Sequence, residues 1–180
     1  MAEEPGGELR RFLLEAQPLR GQWMQLSLAW RALREHRTYP PAVTALLGEA
    51  SAAVVLLAAT LKFQGTLTLQ LSGNGRVRLL VAQCTDAFGL RAMAEHDVAG
   101  GESPDFAALV GAGTLVVTMQ AERAGANYQG VVPLDGASLG ECLEHYFERS
   151  EQLPTRLKLA ADAQRVAGLL LQRLPGRGGR

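Results

Sequence analysis

Cysteine is scarce: Cys84 and Cys142 are the two in 180 residues. Two thiols cannot build a disulfide framework, and their scarcity suits a reducing, cytoplasmic compartment. No Cys-x-Cys or Cys-x-x-Cys occurs, and His36, His96 and His145 are far apart in sequence, so no metal-ligand spacing is present and no cofactor is expected in this chain. A charge excess is also missing. Eighteen Lys and Arg balance eighteen Asp and Glu, which leaves no field to gather nucleic acid. Long apolar runs are absent too. The longest candidate, Ala50–Leu61, is bracketed by Glu49 and Lys62 and falls short of the roughly 20 apolar residues a membrane helix requires. The opening MAEEPGGELRR has no basic start followed by an apolar stretch, so no secretory signal is read. No nucleic acid and no membrane are expected as partners.

What remains is an ordinary globular composition, 47% hydrophobic and 20% charged. It excludes disorder, a collagen-like repeat and a coiled-coil rod. The length suits one domain, placed at residues 1–175, with a flexible tail at 176–180, Gly-Arg-Gly-Gly-Arg.

Residues 8–35 are rich in helix formers, and Met24, Leu28 and Leu33 recur on a broken helical period, so a helix is expected there. Tyr39-Pro40-Pro41 stops it, and Pro41 can open the next helix at its first position. That helix, residues 41–63, has no polar face after Glu49. A helix apolar all round has to be covered all round, so it is read as a central buried helix.

After Lys62 the pattern changes. Thr66–Leu71 alternates with period two and is followed by the turn Ser72-Gly73-Asn74-Gly75 and a second strand at 76–82, a hairpin. Further strands are expected at 89–95, 114–121 and 128–134, with a turn at 124–127 and a short helix at 104–110. Ser138 with Glu141 forms a capping box, and Leu139, Cys142, Leu143, Tyr146 and Phe147 stripe an amphipathic helix that ends before Pro154. Two strands, 156–160 and 166–174, complete the chain. The expected fold class is α+β: a layered β/α/β core with a buried central helix and mostly antiparallel strands.

Candidate chemistry is thin. Cys142 and His145 stand i, i+3 on one helix and could pair as thiolate and imidazole, which makes a small thiol-dependent hydrolase the alternative reading. Gly73-Asn74-Gly75 lies between strands, and Gly111-Ala112-Gly113 precedes a strand, whereas a dinucleotide fingerprint follows a strand and opens a helix. Glu141, Glu144 and Glu148 read as solvated helix charge. Arg173, Arg177 and Arg180 read as a solvated terminus. Leu169, Leu170 and Leu171 are different. Three successive leucines do not fit a solvated alternating strand, so they are either buried on both sheet faces or the candidate client-binding residues.

Several segments resemble the heat-shock protein 33 family of redox-regulated chaperones. They are Tyr39-Pro40-Pro41 leading into Leu46-Leu47-Gly48-Glu49, Ala59–Gly65, Leu69–Gly75, Tyr128–Val132 and Tyr146–Arg156. The resemblance runs from about residue 10 to Pro175 and implies a homodimeric, ATP-independent holdase whose partners are unfolded or oxidised client proteins. It implies a three-layered core, and zinc held by four cysteines in a C-terminal module, with a helical linker covering the core's sheet until oxidation. None of those four cysteines is present, and Cys84 and Cys142 do not fall at ligand positions. The zinc switch module is therefore expected to be absent, through truncation, through proteolysis or in a natural short form. The outer face of the central sheet is expected to carry Thr68, Gln70, Arg76 and Arg78 or else their apolar neighbours, depending on register.

Overall fold

The computed structural model describes residues 6–122 and 127–175. The proposed tail at 176–180 and most of the turn at 124–127 lie outside the described residues.

The first departure from expectation is at the start. Residues 8–35 are not one helix but a hairpin, β1 (Gly7–Leu14) and β2 (Leu19–Leu26), followed by a short helix α1 (Leu28–Leu33). Leucine, arginine, glutamine and methionine favour helix only weakly, and tertiary pairing overrides that preference. Here β2 is claimed by a distant strand near the C-terminus, β9 (Val166–Arg173), with Trp23 opposite Leu169 and Gln22 opposite Leu170. The period-two signal was present in Gln22, Met24 and Leu26, which point inward. Pro18 sits in the turn between the two strands.

The rest follows the expected order. α2 (Pro41–Thr60) begins with proline at its first position and is the central helix. β3 (Gly65–Ser72), β4 (Val77–Thr85), β5 (Leu90–His96), α3 (Phe106–Val110), β6 (Thr114–Ala121) and β7 (Tyr128–Pro133) come next. α4 (Leu139–Ser150), β8 (Thr155–Ala161) and β9 close the described chain. Two sheets form, ordered β1-β2-β9-β8 and β5-β4-β3-β6-β7, and every pairing is antiparallel. α2 packs against strands of both sheets and against α4, so the architecture is α+β with the helix sandwiched between layers.

Val43, Leu47, Ala52, Ala53, Val54 and Leu56 of α2 are completely inaccessible. Of the described helices α2 alone is long and apolar enough to cross a membrane, and 83% of its most apolar window is buried inside the protein. Its apolarity is that of a core element. α1 is pinned beside it: Trp30 is fully buried and donates through Nε1 to Asp162 O at 2.8 Å, while the Arg34 guanidinium lies over the Trp30 ring.

Candidate functional site

Register settles which residues each sheet presents outward. In the four-stranded sheet, a Cβ at Gly168 would meet Leu56 Cδ1 at 2.7 Å, so the even-numbered residues of β9 face α2. Leu170 is accordingly inaccessible. Leu169 and Leu171 point the other way and are half-buried. β9 is an interior strand between β2 and β8, so the three leucines divide between core and outer surface.

Two ladder rows form that outer surface: Arg10, Trp23, Leu169 and Lys158, then Phe12, Gly21, Leu171 and Arg156. Gly21 is the gap that lets the Phe12 ring lie down on the sheet; a Cβ there would meet Phe12 Cζ at 2.1 Å. The result is an apolar strip of Phe12, Trp23, Leu169 and Leu171, flanked by Arg10, Arg156 and Lys158. The helices that pack against this sheet, α2 and α4, do so from its inner side.

The five-stranded sheet presents a more polar outer face. Leu67, Leu69 and Leu71 are turned inward and buried. Thr68 and Gln70 therefore point outward, in the rows Arg91, Gln83, Thr68, Thr118, Gln129 and Met93, Val81, Gln70, Val116, Val131. Gln83 Nε2 donates to Thr68 Oγ1 at 3.1 Å. Arg78 is exposed beside a register shift in β4. Arg76 lies before β4 and pairs with Asp97 and Glu102, both at 2.6 Å.

The glycine clusters find each other. Asn74 Oδ1 accepts the Ala112 N–H at 2.8 Å, Gly111 has φ +58°, and a Cβ on Gly75 would meet Leu109 O at 2.4 Å. Their glycines serve close backbone approach between the β3–β4 turn and the segment after α3.

The Cys142 and His145 pair does not form a reactive centre. Cys142 is fully buried and its Sγ accepts the Gly136 N–H at 3.2 Å. Burial pushes its thiol above the usual range, the opposite of what a nucleophile requires. His145 Nδ1 is bonded to Asp135 at 2.9 Å, and its Nε2 lies nearest Glu141 Oε1 at 3.9 Å. The His145 bond first, and then Arg149, hold the Asp135 carboxyl below its usual range. Burial raises the Cys84 thiol to about 11. Among the described residues no three His, Cys, Asp or Glu side chains are grouped to hold a metal. With both cysteines buried, on β4 and α4, the described residues do not fit a zinc site.

A deeper feature lies at the C-terminal end of α2. A cleft of about 280 Å³, lined by Leu57, Leu67, Val117, Leu143 and Phe147, runs between the sheets and α4. Tyr128 and Tyr146 join hydroxyls at its mouth, and Glu151 Oε1 accepts from Tyr128 at 2.8 Å and from Tyr146 at 3.3 Å. Sequence reasoning did not single out this cleft, because its walls come from seven separate helices and strands.

Comparison with known proteins bears on these surfaces. The family model described as Hsp33 protein matches residues 7–179. The 33 kDa chaperonin of Nitrosococcus oceani is 46% identical over 95% of this chain and 58% of its own length. That of Ectopseudomonas mendocina is 44% identical over 92% of this chain and 56% of its own. This chain thus spans somewhat over half the length of the relatives it matches. The crystal structure of a 33 kDa chaperonin, a heat shock protein 33 homologue from Thermotoga maritima, superposes with a TM-score of 0.77 at 24% identity, covering 92% of this chain and 60% of that one, and it shares the fold. The family match over nearly every residue and the close relatives together place this chain in the Hsp33 family.

Proposed function

We propose that this chain is the client-binding core of an ATP-independent holdase, a cytoplasmic chaperone that acts as a homodimer and keeps unfolding or oxidised proteins from aggregating. The observation that carries this reading is the strip of Phe12, Trp23, Leu169 and Leu171 on the outer face of the four-stranded sheet. Soluble chains rarely leave contiguous large apolar side chains together unless they bind something there. Aromatic rings beside leucines supply large contact area at low conformational cost, and the cationic rim of Arg10, Arg156 and Lys158 keeps such a face hydrated between encounters. Binding by burial of apolar area needs no nucleotide and no covalent chemistry.

The resemblance to redox-regulated chaperones implies that oxidation would govern exposure of the core's sheet through a zinc-binding module. The described residues contain no thiol pair or zinc ligand set on which such a switch could act. The activity of this chain is therefore expected to be the same in reducing and oxidising buffer.

The test is light scattering from a thermally unfolding client mixed with an equimolar amount of this chain in reducing buffer. Suppression is expected, and Leu169→Ser/Leu171→Ser is expected to lose most of it with little change in melting temperature, because neither side chain enters the core. No suppression by the wild-type chain would sink the holdase reading. Suppression unchanged in the double variant would move the client site elsewhere.

A further inference from the structure

The cleft at the end of α2 has a second chamber. The hairpin β1–β2 and the last turn of the helix border an open groove of about 530 Å³ lined by Arg11, Phe12, Leu13, Gln22, Ala59 and Lys62. Arg20, Thr60 and Leu61 line both this outer chamber and the inner apolar one, so the two share a wall. Each is of a size that holds part of a small organic molecule.

The chambers differ in chemistry. The inner one is walled mostly by leucine, valine, methionine and phenylalanine, with Tyr128, Tyr146 and Glu151 at its mouth and Arg20 and Gln172 also in its lining. The outer one is bordered by three cations, Arg11, Arg20 and Lys62, and by no carboxylate. Among the described residues none of the three is ion-paired. In a chain with no net charge this is local patterning. Arg20, at the shared wall, is held in place: its Nε and Nη2 both donate to Gln172 Oε1, at 3.0 and 2.7 Å. Gln172 is buried and is fixed in turn by donating through Nε2 to Thr155 Oγ1 at 3.2 Å. A neutral amide orients the guanidinium without cancelling its charge and leaves other N–H donors free. The C-terminus of α2 accounts for Lys62 as a complement to the helix dipole. It does not account for Arg11 and Arg20, which stand on the hairpin.

We infer that the paired chambers form a binding site for a single-chain anionic amphiphile, with its carboxylate or phosphate head among Arg11, Arg20 and Lys62 and its alkyl chain in the apolar cleft beside Leu57, Leu143 and Phe147. A bare anion would leave the cleft unfilled, and a neutral alkyl compound would leave the cations unmatched. Only a ligand carrying both parts satisfies both chambers. The outer chamber borders the proposed client face at Phe12 and Gly21. Arg11, Arg20 and Lys62 are not part of that strip, and Leu169 and Leu171 line neither chamber, so variants at the two sets test the two readings separately.

Calorimetric titration of the full chain with monomeric dodecanoate tests this. Dodecanoate is expected to bind at one equivalent, about tenfold tighter than dodecanol or dodecyltrimethylammonium. Affinity is expected to grow about three- to fourfold per methylene from butanoate upward, as chain enters the cleft. A lauroyl lysophospholipid with an anionic headgroup, run in parallel, distinguishes a lipid head from a free carboxylate; binding by either supports the site. Arg11→Gln/Lys62→Gln removes two exposed side chains with no folding role, and is expected to erase the preference for the anion without altering dodecanol binding. Equal affinity for dodecanoate and dodecanol, or no dependence on chain length, would overturn the inference. So would adsorption to anionic vesicles, or binding of an acidic leucine-rich peptide, in the absence of dodecanoate binding.

Discussion

Glu49 carries a carboxylate on a helix otherwise given to core. It lines a cavity between α2, α4 and β8 together with Glu141, Glu144 and Lys158, and no hydrogen bond or ion pair to it forms among the described residues. Burial raises its pKa from 4.5 to about 7. The ionised form is thus the one the fold disfavours. Glu49 costs nothing below about pH 4.5 and progressively destabilises the protein as pH rises through about 7. Over that window the penalty is on the order of 3 kcal/mol. Glu49→Gln is expected to raise the melting temperature at about pH 8, to change it little near pH 4.5, and so to flatten the stability profile between them. Thermal melts across that range check this; a profile as steep in the variant as in wild type would assign the slope to another group. The sequence marked Glu49 only as the edge of an apolar run. Its burial depends on α4 and β8, about a hundred residues away in the chain.

At the level of elements, α4 shows how far local chemistry can be read. The Ser138 side chain accepts the Glu141 N–H at 3.1 Å, and Glu141 reaches back to the Ala137 N–H at 2.8 Å, one residue before the expected Ser138 amide. Ser138→Ala is expected to cost about 1 kcal/mol, read as a lowered denaturant midpoint with unchanged slope. Capping signals, proline stops and period-two alternation are short-range, and they placed α2, α4 and β3 through β9 to within a few residues. The N-terminal hairpin escaped because its evidence is long-range. β2 is a strand because β9 pairs with it across the length of the chain. The helix-forming residues of 8–35 carried no strong local objection to the wrong answer.

For the molecule as a whole, both sheets lean on one helix. Leu56, fully buried, meets β9 near Gly168, while Leu57 lines the cleft with Leu67 and Val117 of the other sheet. Leu56→Ala is expected to destabilise by about 2–5 kcal/mol. Because α2 is the shared core, hydrogen exchange should quicken by the same factor at Leu69 of β3 and at Leu170 of β9. Loss of protection confined to the four-stranded sheet would show that the two layers unfold separately.

Sequence by itself determined that an apolar helix had to be wrapped, that antiparallel strands would wrap it, and, through quoted motifs, which family the chain resembles. Burial of such a helix follows from composition alone, since water leaves it no alternative. Only the tertiary structure decided which leucines look outward, because in a strand a shift of one residue exchanges the two faces, and pairing partners set that register. The helical stripe already turned Cys142 toward the core, where the structure buries it completely. But only the tertiary structure decided that Arg11, Arg20 and Lys62 share a chamber, since residues far apart in the chain become neighbours only when the layers close.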